Sequence, residues 1–118
     1  MSSLRSHAIP VVLAALATFG PAASAQESAR TIPIVSRQYG YTPSEVHLRR
    51  GETVTLSLTT EDVAHGLKLK ELQLDAPIAP GKTTTVTLTP QAAGTYTATC
   101  NKFCGTGHSS MKMTFIVE

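Results

Sequence analysis

Between Cys100 and Met111 the chain reads CNKFCGTGHSSM, a segment that holds both cysteines, one of the four histidines and one of the three methionines among 118 residues. The spacing is Cys-x3-Cys-x3-His-x2-Met, and a further histidine, His65, stands upstream in DVAHGL. Thiolate, imidazole and thioether together favour copper, above all its reduced state, over calcium or magnesium, which want oxygen ligands. Zinc accepts two Cys and two His, but this is not finger spacing. His65, Cys104, His108 and Met111 suffice for a mononuclear copper site of one Cys, two His and a weak axial group. Cys100 is the residue that argues for two metals. Paired thiolates can each bridge two ions, leaving one imidazole per ion, with Met111 as a weak axial ligand on one side and a loop carbonyl on the other.

Such a set needs elements that bring its members together, and the rest of the chain supplies β structure. A first strand starts near Thr31, and Pro43 with Ser44 marks a turn. In VHLRRGETVTLSLTT, Val54, Leu56 and Leu58 alternate with threonine and serine, the period-two pattern of a half-buried strand, after a turn at Gly51. Gly66 interrupts what could pass for a helix in EDVAHGLKLKELQLD, so Leu67 and Leu69, then Leu72 and Leu74, read as two short strands. Pro77, Pro80 and Gly81 are assigned to a loop. Val86 and Leu88 point inward from a threonine-rich strand, and Tyr96, Ala98 and Cys100 share a side of the next. Met111, Met113, Phe115 and Val117 share a side of the last. The donors from Cys100 to Met111 thus lie in a connection between two strands, which can draw them toward one point. About seven short strands with Pro and Gly turns predict an all-β sandwich or barrel of Greek-key type.

The N-terminus has the pattern of a cleaved secretory signal: Arg5 and His7, an apolar run from Ala8 to Phe19, and a close on ASA at Ala25. An uncleaved anchor is the alternative, although the run is shorter than the roughly 20 residues of an ordinary span. Cleavage leaves residues 26–118 as one domain in the periplasm, with no stable membrane span. The formal net charge of +2, spread over scattered residues, gives no nucleic-acid or polybasic membrane footprint. Export also makes a Cys100–Cys104 disulfide the competing use of the two sulfurs.

DVAHGL followed by CNKFCGTGHSSM resembles the binuclear copper A (CuA) domain of cytochrome oxidase subunit II, a cupredoxin fold also found in nitrous-oxide reductase. The resemblance extends from about Thr31 to Glu118 and includes YTPSEVHLRRGETVTLSLTT. It implies His65 and His108 as terminal ligands, Cys100 and Cys104 as bridging thiolates, Met111 as the weak axial thioether, and the carbonyl oxygen of Lys102 as the opposite axial donor. In the oxidase family a glutamate commonly stands at the place of Lys102; only its backbone ligates, so the change alters local charge and not coordination. Two departures stand out. The membrane helices of the oxidase subunit are missing, and no tryptophan lies near the site to receive electrons from a cytochrome.

These readings give a monomeric periplasmic cupredoxin that carries single electrons between redox proteins such as a cytochrome, and that does not itself transform a substrate. A copper chaperone or reservoir serving an oxidase or another cuproprotein is the alternative; a structural zinc domain is a third. Around the site, Phe103 is expected to pack beside the centre and limit water, with an exposed contact to a partner as the alternative, and Asp62 either orients the His65 loop or is solvated. Gly105 and Gly107 ease the ligand loop. His47, between inward Val46 and Leu48, is expected on the surface.

Overall fold

A computed structural model describes residues 2–17 and 29–118. Residues 2–17 carry no regular secondary structure and are exposed. The expected cleavage point at Ala25 lies outside the described residues. Among those described, no helix is long and apolar enough to cross a membrane.

Among the described residues, nine strands form the domain: β1 (Arg30–Arg37), β2 (Gly40–Thr42), β3 (Glu45–Leu48), β4 (Val54–Thr60), β5 (His65–Leu69), β6 (Leu74–Ile78), β7 (Thr84–Leu88), β8 (Gly94–Thr99) and β9 (Lys112–Val117). They make two sheets, of order β2-β1-β4-β7 and β3-β9-β8-β5-β6. β1 runs parallel to β4 and β3 parallel to β9, while the other pairs are antiparallel. The inner faces meet in one core containing Ile34, Leu56, Leu58, Leu67, Leu74, Met113 and Phe115. Alternation produces this directly: β4 buries Val54, Leu56 and Leu58, and β9 buries Met113, Phe115 and Val117.

The count exceeds seven because β2 is only three residues long, too short for a periodic signal, and because Gly51, with φ of +80°, separates β3 from β4. Leu72 lies in a single 3₁₀ turn, Lys70–Leu72, and not on a strand. Pro77 belongs to β6, opposite Gly66, and not to the loop assigned to it. β6 is an edge strand, where a residue without an N–H can be accommodated. His47 is on the surface as expected, 3.0 Å from Glu45 Oε1 through its Nε2, with Val46 and Leu48 buried on either side.

This topology decides where the donors meet. β4 ends at Thr60, β5 begins at His65, β8 ends at Thr99 and β9 begins at Lys112. All four of those ends lie at one pole of the sandwich, and the ligand loop closes over it.

Candidate metal centre

His65 opens β5 and is 0% exposed. Its Nε2 lies 2.7 Å from Asp62 Oδ1, three residues earlier in the turn that leaves β4. Asp62 is therefore a partner that orients the ring, as metal-bound histidines commonly have. The same carboxylate accepts the N–H groups of Gln38, at 2.8 Å, and Val63, at 2.6 Å. The Gln38 amide is the largest influence holding the Asp62 carboxyl down at about 2; His65 adds to it and desolvation opposes it.

With Nε2 engaged, Nδ1 of His65 remains the one buried side-chain nitrogen or oxygen without a hydrogen-bond partner among the described residues. A buried polar atom left so costs about 1–3 kcal/mol, which calls for a ligand at that nitrogen. The donors of His65, Cys100 and Cys104 lie within 4.8 Å of one another, and all three residues are buried.

Cys100 follows β8, and its N–H donates to the carbonyl of Met111 at 3.3 Å across the mouth of the β8–β9 hairpin. The Sγ atoms of Cys100 and Cys104 are 3.8 Å apart. That is too long for a disulfide, whose bond is about 2.05 Å, and both cysteines are free. It does suit two sulfurs sharing an ion on metal–sulfur bonds of about 2.3 Å. Burial, reinforced by Cys100, pushes the Cys104 thiol up to about 11.

The remaining expected ligands gather around these sulfurs. His108 opens a 3₁₀ turn, His108–Ser110, and its Nδ1 is 3.6 Å from Cys104 Sγ. It is not one of the three residues whose donors are mutually within 4.8 Å. Met111 is 1% exposed, with Sδ 3.8 Å from Cys104 Sγ. The Lys102 carbonyl accepts from Cys100 Sγ at 3.1 Å. The structure thus brings His65, Cys100, Lys102, Cys104, His108 and Met111 to one pole, with sulfur, imidazole nitrogen and carbonyl oxygen in contact. This donor set fits copper.

Phe103 lies beside the centre but faces solvent, the alternative of its two expected placements, and does not shield the sulfurs. It is 76% exposed, and its ring is tilted against that of His108, with centroids 5.8 Å apart. The loop turns outward between two buried cysteines, and Asn101, Lys102 and Phe103 between them are all exposed.

Four neighbours carry no signal in the sequence. Gln38 and Tyr39 lie in the β1–β2 turn against the ligand loop. Tyr41, buried in β2, donates its hydroxyl to the Gly66 carbonyl at 2.6 Å; burial, then the nearby Cys100, raises its pKa. Asn101 donates its amide to Asp75 Oδ1, tying the ligand loop to β6. Its side chain passes so close over Gly66 that a Cβ there would collide with it. The Gly66 that interrupts the helical pattern is thus the gap through which the ligand loop reaches β5.

A sandwich of two such sheets, with donors on the strand ends and hairpin loop of one pole, defines a cupredoxin architecture. Residues 9–117 match the family model described as the cupredoxin-like domain, and the chain belongs to that family. A cytochrome c oxidase subunit 2 of Thermus thermophilus is 30% identical over 88 residues, which cover 75% of this chain and 65% of that protein. In a second Thermus relative of the same name, the matched share is 52% of its length. A nitrous-oxide reductase of Cupriavidus necator is 30% identical over 92 residues, 75% of this chain and 14% of the relative. Among solved structures, the periplasmic domain of subunit II of cytochrome oxidase of Bradyrhizobium japonicum superposes with a TM-score of 0.70 at 16% identity, over 75% of this chain and 83% of that one. Auracyanin A, a "blue" copper protein of Chloroflexus aurantiacus, superposes with a TM-score of 0.61 at 20% identity, over 75% and 98%. The two superpositions establish the shared fold.

Proposed function

We propose that this chain binds two copper ions between Cys100 and Cys104 and carries single electrons through them in the periplasm. The observation that supports this most is the cysteine pair itself. Two buried sulfurs 3.8 Å apart share a group of donors within 4.8 Å with buried His65, whose Nδ1 has no partner, and Nδ1 of His108 stands against Cys104. That His108 stands outside the tight group of His65 and the two cysteines suits one imidazole per ion.

Bound copper supplies a reversible one-electron change there, and the chain supplies the setting. Asp62 holds His65 by its far nitrogen, which leaves Nδ1 free for a metal. Met111 and the Lys102 carbonyl cap Cys104 and Cys100, and burial keeps water away. Every donor comes from the protein, which leaves no open position for a substrate and favours a carrier over an enzyme. Relatives named as oxidase and nitrous-oxide reductase chains favour a redox protein such as a cytochrome as partner. Cleavage after Ala25, leaving residues 26–118 as a single copper-binding domain, belongs to the same reading.

A second reading, delivery of copper to another cuproprotein, draws on the exposed rim. Phe103 stands out beside a partly exposed His108, so an acceptor could approach one ligand directly. Copper stoichiometry and electron paramagnetic resonance of the loaded, oxidised protein test the primary reading. The expected result is two coppers sharing one unpaired electron, with the sharing abolished by Cys100→Ser. One copper with a single-nucleus hyperfine pattern overturns the two-copper centre, and a colourless zinc protein overturns copper altogether.

A further inference from the structure

We infer that Gln38 is a positioning residue that ties the His65 side of the centre to the Cys104 side before metal arrives. The inference rests on the metal reading above. Gln38 lies in the turn between β1 and β2, outside both ligand-bearing segments. Its side-chain Nε2 donates to the Cys104 carbonyl at 2.6 Å. Its backbone N–H donates to Asp62 Oδ2 at 2.8 Å, while the other oxygen of that carboxylate holds His65 Nε2 at 2.7 Å. One residue therefore reaches a ligand loop directly with its side chain and the other ligand's partner with its backbone.

The tie answers a weakness in the sheet. The strand that starts with His65 and the strand that runs into Cys100 are in register at a single pair, Lys68↔Thr99. By contrast, β8 and β9 pair from Gly94↔Val117 to Thr99↔Lys112. With so short a ladder, the spacing between His65 and the cysteines depends on contacts outside the sheet. Asn101 with Asp75 is one such contact, and Gln38 is another.

The adjoining Tyr39 lets the turn come close enough. Its ring and hydroxyl lie over Gly105 and Gly107, where a Cβ on either glycine would run into them. Gly105 also has φ of +136°, a conformation that side-chain-bearing residues rarely adopt. The two glycines, expected only to ease the loop, form the bed for Tyr39. Ligands fixed in place by folding need not be ordered by the metal, which raises retention.

Gln38→Met tests this, because it keeps the chain length and the backbone N–H to Asp62 while deleting the donor to Cys104. Gln38→Glu places an acceptor against the same carbonyl and is the second variant. Gln38 is exposed, so neither disturbs the core. In the metal-free, reduced protein, hydrogen exchange across 104–108 is expected to rise in both variants, with β8, β9 and the unfolding midpoint little changed. From the Cu(I)-loaded protein, release to a Cu(I)-selective chelator is expected to be about three- to tenfold faster, the equivalent of one lost hydrogen bond. Exchange and release equal to the parent's overturn the inference. So does faster exchange throughout the domain with a matching fall in midpoint, the mark of a merely structural residue. If the parent binds no copper, the metal reading fails, and the metal-free exchange still decides the role of Gln38.

Discussion

Replacing His65 with leucine distinguishes a ligand histidine from a histidine that builds the core. The side chain is completely buried, yet its Nδ1 satisfies nothing in the metal-free fold. Removing that atom relieves about 1–3 kcal/mol of unmet desolvation. Against this, the bond to Asp62 disappears, worth about 1.5–3 kcal/mol for a charged partner. Asp62 keeps the Gln38 and Val63 N–H groups and a side chain 33% exposed, which places the loss at the low end. The two effects cancel to within about 1 kcal/mol, or about 4–8 °C in Tm for a domain of this size. Leu67→Ala, two residues along the same strand at an equally buried position, is the control and should cost about 2–5 kcal/mol. Thermal unfolding followed by circular dichroism, with thiols kept reduced and with and without Cu(I), measures both. Metal at a thousand times its Kd should add about 4 kcal/mol to the parent. The same gain should persist in Leu67→Ala on its lower baseline, and most of it should vanish in His65→Leu. The reasoning fails if metal-free His65→Leu falls as far as Leu67→Ala, or if its gain from metal is intact.

Two further outcomes follow from the sulfurs. Mild oxidation of the metal-free protein should join Cys100 to Cys104, since their sulfurs start 3.8 Å apart; closing so short a loop adds only about 2 kcal/mol by chain entropy. Thiol titration should then find no free thiols and no copper uptake until a reductant is added, and copper loading of the oxidised form would contradict the assigned roles. Met111→Leu, nearly volume-conserving at a 1% exposed position, should cost less than about 1.5 kcal/mol in stability while shifting the reduction potential of the loaded protein. An unchanged potential removes Met111 from the ligand set.

The donor cluster was legible in the sequence because its members are close in the chain and chemically rare, and alternation in β4 and β9 fixed which side of each strand faces the core. Cys100 and Met111 could be placed at facing ends of β8 and β9 because each continues the buried phase of its strand. Gln38, Tyr39 and Asn101 could not be found that way. Each acts through a contact distant in sequence, such as Gln38 on Cys104, and common polar or aromatic residue types in turns have no period to betray them. The two placements open to Phe103 could not be separated for a related reason. Hydrophobicity and proximity in sequence suggested burial, whereas the path of the loop between two inward cysteines turns it outward. Pro77 showed the same limit, since its tolerance within β6 depends on that strand being an edge, a property of the assembled sheet.

Carrying electrons and delivering copper make opposite demands on the surroundings of a copper site, and the contacts around this one can be weighed against both. A carrier needs ligands that stay still when the charge changes, because each displacement adds to the barrier for transfer. A donor of metal needs at least one ligand that yields to an acceptor. His65 is held by Asp62, Cys104 by Gln38, and the loop by Asn101 on Asp75. All three are ties to groups outside the metal's reach, which metal loss would not release. His108 sits at a partly exposed edge, with its ring against solvent-facing Phe103. His65, Cys104 and the start of the ligand loop therefore belong to a fixed frame, and that balance favours electron transfer, with His108 toward the surface. Phe103→Ala should on this account slow electron exchange with a partner while leaving Cu(I) release to a chelator unchanged. Faster release instead would mark Phe103 as a guard on the metal and favour delivery.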